Sequence, residues 1–261
     1  MTDDLKYWDS ISKTFKKDSP DLIWRSHSDA VNTALLDQWL THGKTGRLLK
    51  TDLFDEAESK GMYTLLKLKV KDIIGMDISP MIVKAAQRTH NDLKGIVADI
   101  RCLPFHGNRF DTVVSISTLD HFGSEMEIMN GLRELHRVLR IKGQLIITLD
   151  NLANPVIFLR SIIPFRLLYR SGIVPYYVGK SSTPRHLILI LNQLGFDILS
   201  TTAIMHCPRV LAVILSRLLE KTASQGTVRR FLNILRLFER LAYCPTRYLT
   251  GYFIAITAMK R

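Results

Sequence analysis

Asp77 closes an apolar run, Ile73-Ile74-Gly75-Met76, and is followed by Ile78 and then Ser79-Pro80, a cap with proline at the helix start. A carboxylate at the carboxyl end of a parallel strand can accept paired hydrogen bonds from the two hydroxyls of a ribose. The crevice at the switch point of an open α/β sheet is where such ligands sit. The plainer reading is a charge that favours a helix N-terminus. Asp99 ends the next run, Val97-Ala98, with Ile100 after it, and it could equally close an Asx turn. Thr118-Leu119-Asp120-His121-Phe122 follows a further run. An imidazole with an ordinary pKa of about 6.5 suits proton removal near neutrality. Asp120 could orient it, or His121 could simply shape a wall.

These residues need a scaffold, and the apolar periodicity supplies one. Strands are expected at Arg47–Phe54, Asp72–Asp77, Gly95–Asp99, Phe110–Ser117 and Gly143–Asp150, with helices at about 55–68, 79–91 and 124–140. The last helix places Ile128, Leu132, Leu135 and Leu139 on one face, and Gly143 is expected to stop it. Strands that alternate with helices predict a doubly wound, mostly parallel α/β sheet. A helix at Pro184–Leu194 ending at Gly195, then strand-like runs at Phe196–His206 and Tyr252–Met259, extend it. Residues 1–42 read as helical, with Leu5, Trp8, Ile11 and Phe15 at helical spacing and a break at Ser19-Pro20-Asp21. The organisation is therefore a helical cap over 1–44, a core over 45–150, and 151–261 as the rest of the same domain. Residues 151–182 and 208–248 exceed what the connections require.

Charge divides the chain. Residues 1–150 are neutral, whereas 151–261 hold fifteen Lys/Arg against Asp197, Glu220 and Glu239, which is the entire net charge of +12. Such asymmetry suits an anionic partner: a membrane, a nucleic acid or an acidic substrate. Three scattered cysteines imply neither a metal site nor a disulfide framework, so a reducing cytoplasm is expected. The opening Met-Thr-Asp-Asp-Leu-Lys does not read as a signal peptide, and Val210–Leu215 is too short to span a bilayer.

The blocks 73–80, 97–105, 110–122 and 132–150, in that order, resemble class I S-adenosylmethionine-dependent methyltransferases, nearest the small-molecule branch that includes the quinone-biosynthesis enzymes. The resemblance covers about eighty residues. It implies a seven-stranded Rossmann-like sheet whose last strand is antiparallel, with S-adenosylmethionine as cofactor. Asp77, with Ile78, would hold the ribose, and Asp99 the adenine amine, with Ile100 lending a backbone donor. Thr118 to Phe122 would line the site of methyl transfer, where Asp120 and His121 are the catalytic candidates. The helical leader would pack over the cofactor mouth.

The first family block departs from the pattern. Lys50 stands where an acid is expected, and Asp52, Phe54 and Glu56 occupy the positions of the glycine-rich loop. Either the loop binds by other contacts or the pocket is occluded. In the first case Asp52 or Asp55 would pair with the methionine ammonium, and Asp55 and Glu58 would form a capping box. In the second case a silent scaffold remains.

The insertions mix large apolar residues with arginine. In 227–243, Arg229, Asn233, Arg236 and Arg240 form one stripe, opposite Phe231, Ile234, Leu235, Phe238 and Ala242. A basic amphipathic surface can lie on anionic lipid, or its apolar side can roof a pocket. The expected acceptor is a lipophilic or amphiphilic small molecule entering beneath 155–178 and 208–243, with Tyr169, Tyr176 and Tyr177 at the mouth. Nucleic-acid binding is the rival from another class. It is disfavoured because the arginines alternate with aliphatics rather than with stacking aromatics. His106, His136 and His206 read as surface or core residues.

Overall fold

The computed structural model describes residues 5–11, 21–40, 46–170, 174 and 177–261. Phe15, the Ser19-Pro20 break and Tyr176 lie outside these residues. A seven-stranded sheet has the order β3-β2-β1-β4-β5-β7-β6, built from β1 (Arg47–Thr51), β2 (Asp72–Asp77), β3 (Lys94–Val97), β4 (Phe110–Ser115), β5 (Leu139–Asp150), β6 (Phe196–Ile204) and β7 (Phe253–Lys260). β7 lies antiparallel between β5 and β6, and the pairings among β1–β5 are parallel. The chain order reverses between β1 and β4, which makes their carboxyl ends the switch point.

The central strands are apolar without alternation because both faces are covered. Leu49 and Met76 pack with α6 (Glu125–Val138) and α9 (Pro184–Gln193). Leu48 and Ile73 pack on the other side with α4 (Tyr63–Lys69) and α5 (Pro80–Thr89). A third cluster joins α2 (Leu22–Trp39) to α10 (Arg209–Thr222) and α11 (Gln225–Phe238) through Trp24, Val31, Ala212 and Leu235. α1 (residues 5–11) rests on the sheet edge, where Ser79 Oγ donates to Asp9 and the Tyr177 N–H donates to Tyr7 Oη at 2.6 Å.

Three local expectations fail. The helix expected over 55–68 is two pieces, α3 (Phe54–Glu58) and α4, broken at Gly61, which has φ +52°. The residue before α3 is Leu53, which makes no side-chain cap, so Asp55 and Glu58 form no capping box. Gly143 stops no helix. α6 ends at Val138 and β5 starts at once, with Leu139 facing Phe110 and then Gln144 facing Thr112. The intervening residues bulge out, with Lys142 at φ +60°, and a Cβ on Gly143 would lie 2.8 Å from the Arg140 carbonyl oxygen. The glycine allows close backbone approach inside a bulged strand.

Candidate functional site

The sheet presents three acids at its carboxyl edge, and each is set by the same turn. One carboxylate oxygen accepts the N–H two residues later: Asp52 from Phe54 at 2.8 Å, Asp77 from Ser79 at 2.9 Å and Asp99 from Arg101 at 2.8 Å. Such Asx turns fix side-chain direction where a strand becomes a loop. Their remaining partners differ. Asp77 also accepts from the Leu53 N–H at 3.0 Å, tying β2 to the loop after β1. Burial raises the Asp77 pKa, and the two amides only partly counter it. Burial and the neighbouring Asp77 hold Asp52 well above the ordinary carboxylate range, and burial and Glu56 raise Asp55.

Asp99 goes the other way. Burial would lift it, but the Arg101 guanidinium grips both its oxygens at 2.7–3.0 Å and leaves it below its ordinary value. Arg101 also donates to Glu127 at 2.6 Å and lies 5.0 Å over the Phe122 ring. An adenine amine at Asp99 would therefore meet a carboxylate already paired.

The loop after β1 is a packed replacement for a glycine loop. Lys50 is buried and pairs with buried Glu56 at 2.8 Å, while its Nζ also donates to the Asp52 carbonyl at 2.6 Å. Asp52 itself has φ +73°, a left-handed residue in a position that would favour glycine. Asp55 lies 3.7 Å from Arg25 of α2, whose guanidinium covers the Phe54 ring.

Thr118 hydrogen-bonds to Thr51 Oγ1 at 2.8 Å, clasping β1 to the turn after β4. Asp120 is buried on that turn, and its Oδ1 has no hydrogen-bond partner among the described residues. Burial, with Asp150 nearby, pushes its pKa up to about 6, against the pull of His121 and Arg160. The His121 ring meets Trp8 edge-on at 4.7 Å, and its Nδ1 lies 3.4 Å from the Tyr177 carbonyl oxygen. Gly179 donates to the Asp120 carbonyl at 2.7 Å, so the first insertion is stitched to this turn. A Cβ on Gly179 would fall 2.0 Å from the Phe122 carbonyl oxygen. Gly179→Ala should therefore force the two backbones apart and cost about 1–3 kcal/mol in urea unfolding; an unchanged midpoint would refute that close approach.

One cavity of about 1060 Å³ unites these parts, the size of a large ligand site. Asp52, Asp55, Asp77, Ile78, Asp99, Ile100, Thr118, Asp120 and His121 all line it, as do Tyr7, Trp8 and Ile11 of the leader. Its roof comes from both insertions, α7 (Pro155–Ile162) and α8 (Phe165–Arg170) on one side and α10 on the other. Three details of the expected mouth need correction. α11 supplies no lining residue, because Leu235 and Phe231 pack on the α2 cluster instead, and its apolar stripe is incomplete because Ile234 is exposed. Tyr169 is exposed outside the lining, whereas Tyr177 belongs to it.

Sequence reasoning missed the ion pair on the cavity wall near Asp120. Asp150, ending β5 as Asp77 ends β2, is buried against Arg160, which also donates to Tyr252 Oη at 3.2 Å. Arg209 lies 4.6 Å over the Tyr252 ring. The acid at the end of an apolar run was the available signal for Asp150; nothing in the spacing points to Arg160. Among the lone histidines, His206 is a satisfied core residue, bonded to Thr250 Oγ1 at 2.7 Å and to the Ala203 carbonyl at 2.9 Å.

Comparisons with known proteins agree with this geometry. Residues 59–147 match the family model described as a methyltransferase domain. A demethylmenaquinone methyltransferase of Thermotoga maritima is 34% identical over 85 residues, which is 32% of this chain and 36% of the relative. The chain thus aligns with about a third of that protein's length. Among solved structures, a SAM-dependent methyltransferase from Archaeoglobus fulgidus superposes with a TM-score of 0.56 at 19% identity, covering 89% of this chain and 94% of that one. A geranyl diphosphate C-methyltransferase from Streptomyces coelicolor gives 0.57 at 12% identity, covering 89% and 79%. Residues 59–147 thus carry the likeness to a methyltransferase domain, and the seven-stranded topology with a crevice at its switch point is the fold shared with solved S-adenosylmethionine-dependent methyltransferases.

Proposed function

We propose that this protein transfers a methyl group from S-adenosylmethionine to a lipophilic or amphiphilic small molecule. The observation that carries the proposal is the continuity of the cavity. It runs from the acids at the ends of β1–β3, past Asp120 and His121, to an apolar chamber under α7, α8 and α10. The residues suit the cofactor's charges. Burial raises Asp52, Asp55 and Asp77, and neighbouring acids raise Asp52 and Asp55 further, a cost that a bound cation relieves. In this reading Asp52 and Asp55 face the ammonium, Asp77 takes the ribose hydroxyls with Ile78 beside it, and Ile100 and Thr118 complete the wall. Asp99 reaches the adenine only if it shares its carboxylate with Arg101.

S-adenosylmethionine, when bound, would supply an electrophilic methyl group. The chain's own part is to exclude water, align the acceptor and hold a proton acceptor, Asp120 or His121, near the reacting atom. Arg209, on its aromatic bed, is placed to meet an anionic head group while the tail lies among Val156, Leu159, Leu168, Val213 and Ile214.

Calorimetry with S-adenosylhomocysteine tests the reading. Binding is expected, with Asp77→Asn weakening it about ten- to a hundredfold through the loss of charge-assisted hydrogen bonds. The sign of the proton linkage follows from the raised acids: a bound ammonium lowers their pKa values, so protons leave on binding at mildly acidic pH. The heat should then shift between buffers of different ionisation enthalpy in the sense of proton release. Well-folded protein that binds nothing would instead favour a silent scaffold, the reading that the Arg101 clamp on Asp99 and the glycine-free loop would support.

A further inference from the structure

The lips of the cavity are apolar and bare. Val156 and Leu159 on α7, and Val210 and Ile214 on α10, line the mouth yet stand 53, 57, 52 and 52% exposed. Phe158 and Ile162 extend the exposed surface on α7, and Leu211, Leu215 and Leu218 extend it on α10. On α10 the positions 210, 214 and 218, with 211 and 215 alongside, form one helical stripe, while the opposite side buries Ala212 and Ser216 against the body of the protein. The helix therefore has a covered face and an uncovered one, and the uncovered one is the more hydrophobic.

Cations flank this rim. Arg166 and Arg170 on α8, which roofs the same cavity beside α7, are exposed, with no ion pair among the described residues. The half of the chain that builds this surface holds only three acids. Large exposed apolar patches mark interaction sites, and here the charge selects the partner. A second copy of the chain would bring cations against cations, whereas an anionic bilayer satisfies both features at once. Apolar side chains enter the acyl boundary and guanidinium groups stay among the phosphates, with stems that can snorkel. No helix among the described residues is long and apolar enough to cross a membrane, so contact through helices would be peripheral.

We propose that the α7–α10 rim docks on an anionic lipid surface and opens the cavity into the bilayer. The docking surface includes no residue of the turn that carries Asp120 and His121, so docking stands or falls separately from methyl transfer.

Flotation of the full chain with phosphatidylcholine vesicles, with and without phosphatidylglycerol, decides it. Partition is expected onto the anionic vesicles and far less onto the neutral ones. Phe158→Glu with Ile162→Glu, or Leu215→Glu with Leu218→Glu, should each lower partition by about tenfold or more. Arg166→Ala with Arg170→Ala should lower it by roughly tenfold or more and weaken its salt dependence. None of these six side chains lines the cavity, so S-adenosylhomocysteine affinity and thermal melting serve as controls for folding. Partition indifferent to lipid charge or to the glutamates would overturn the proposal. So would steeply salt-dependent RNA binding without vesicle binding, or a dimer in solution that the glutamates dissolve.

Discussion

Asp120→Asn should lower methyl-transfer turnover by roughly a hundred- to ten-thousandfold while leaving S-adenosylhomocysteine affinity unchanged. The substitution keeps the shape and removes only the capacity to take a proton. Asp120 rather than His121 is expected to take the proton because its Oδ1 is buried on the cavity wall without a hydrogen-bond partner among the described residues, and such a group is costly to maintain unless a ligand uses it. Burial pushes its pKa to about 6, high enough to accept a proton and low enough to be ionised at neutrality. A base must be deprotonated to act, so the wild-type rate should climb with pH through about 6 and then level. The variant should lose that limb. His121→Gln should have a smaller effect, since its ring leans on Trp8 and the Tyr177 carbonyl as part of the wall. If Asp120→Asn retained both the rate and the acidic limb, alignment alone would carry the reaction and the base would have to be abandoned.

The second large effect concerns stability. Lys50→Met should cost about 3–5 kcal/mol in urea unfolding, because it strands the Glu56 carboxylate in the interior. Both side chains are almost inaccessible, at 3% and 0%, and lie 2.8 Å apart. Burial alone would lower the Lys50 pKa, but the carboxylates of Glu56, Asp52 and Asp55 outweigh it and keep the ammonium charged. Adding Glu56→Leu to Lys50→Met should recover much of the loss by removing the second charge. Recovery should be incomplete, since Glu56 Oε1 also accepts the Met62 N–H at 3.0 Å. A single-variant cost below about 1 kcal/mol would mean that the pair is solvated, as surface pairs are.

Much of the sheet was legible because burial on both faces writes continuous apolar runs. β2 was read to the residue, and β4, β6 and β7 to within a few at their ends. What sequence could not resolve was how loops use their polar groups. Lys50 stands where an acid is expected and proves to be half of an internal ion pair, a relation between positions that no periodicity encodes. Gly143 resembled a helix stop because a helix does end nearby, and only the bulge explains it. Asp77 and Asp99 sat in matching contexts, yet Arg101, two residues after Asp99, gives them opposite electrostatics. Composition points to both insertions, but α11 supplies no lining residue, since an amphipathic helix can turn its apolar side to any neighbour.

The position of β7 has a consequence for how the molecule is made. Asp150 pairs with Phe253, and β6 joins the sheet only through β7. β1 to β4 close over short separations, whereas β5 and β6 are joined only by a strand that lies beyond α10 and α11 in the chain. Closing that long loop is an entropic barrier. β5 to β7 are therefore expected to fold after β1 to β4, and the helices of the two insertions gain a fixed floor only when the interior strand has zipped between its two neighbours.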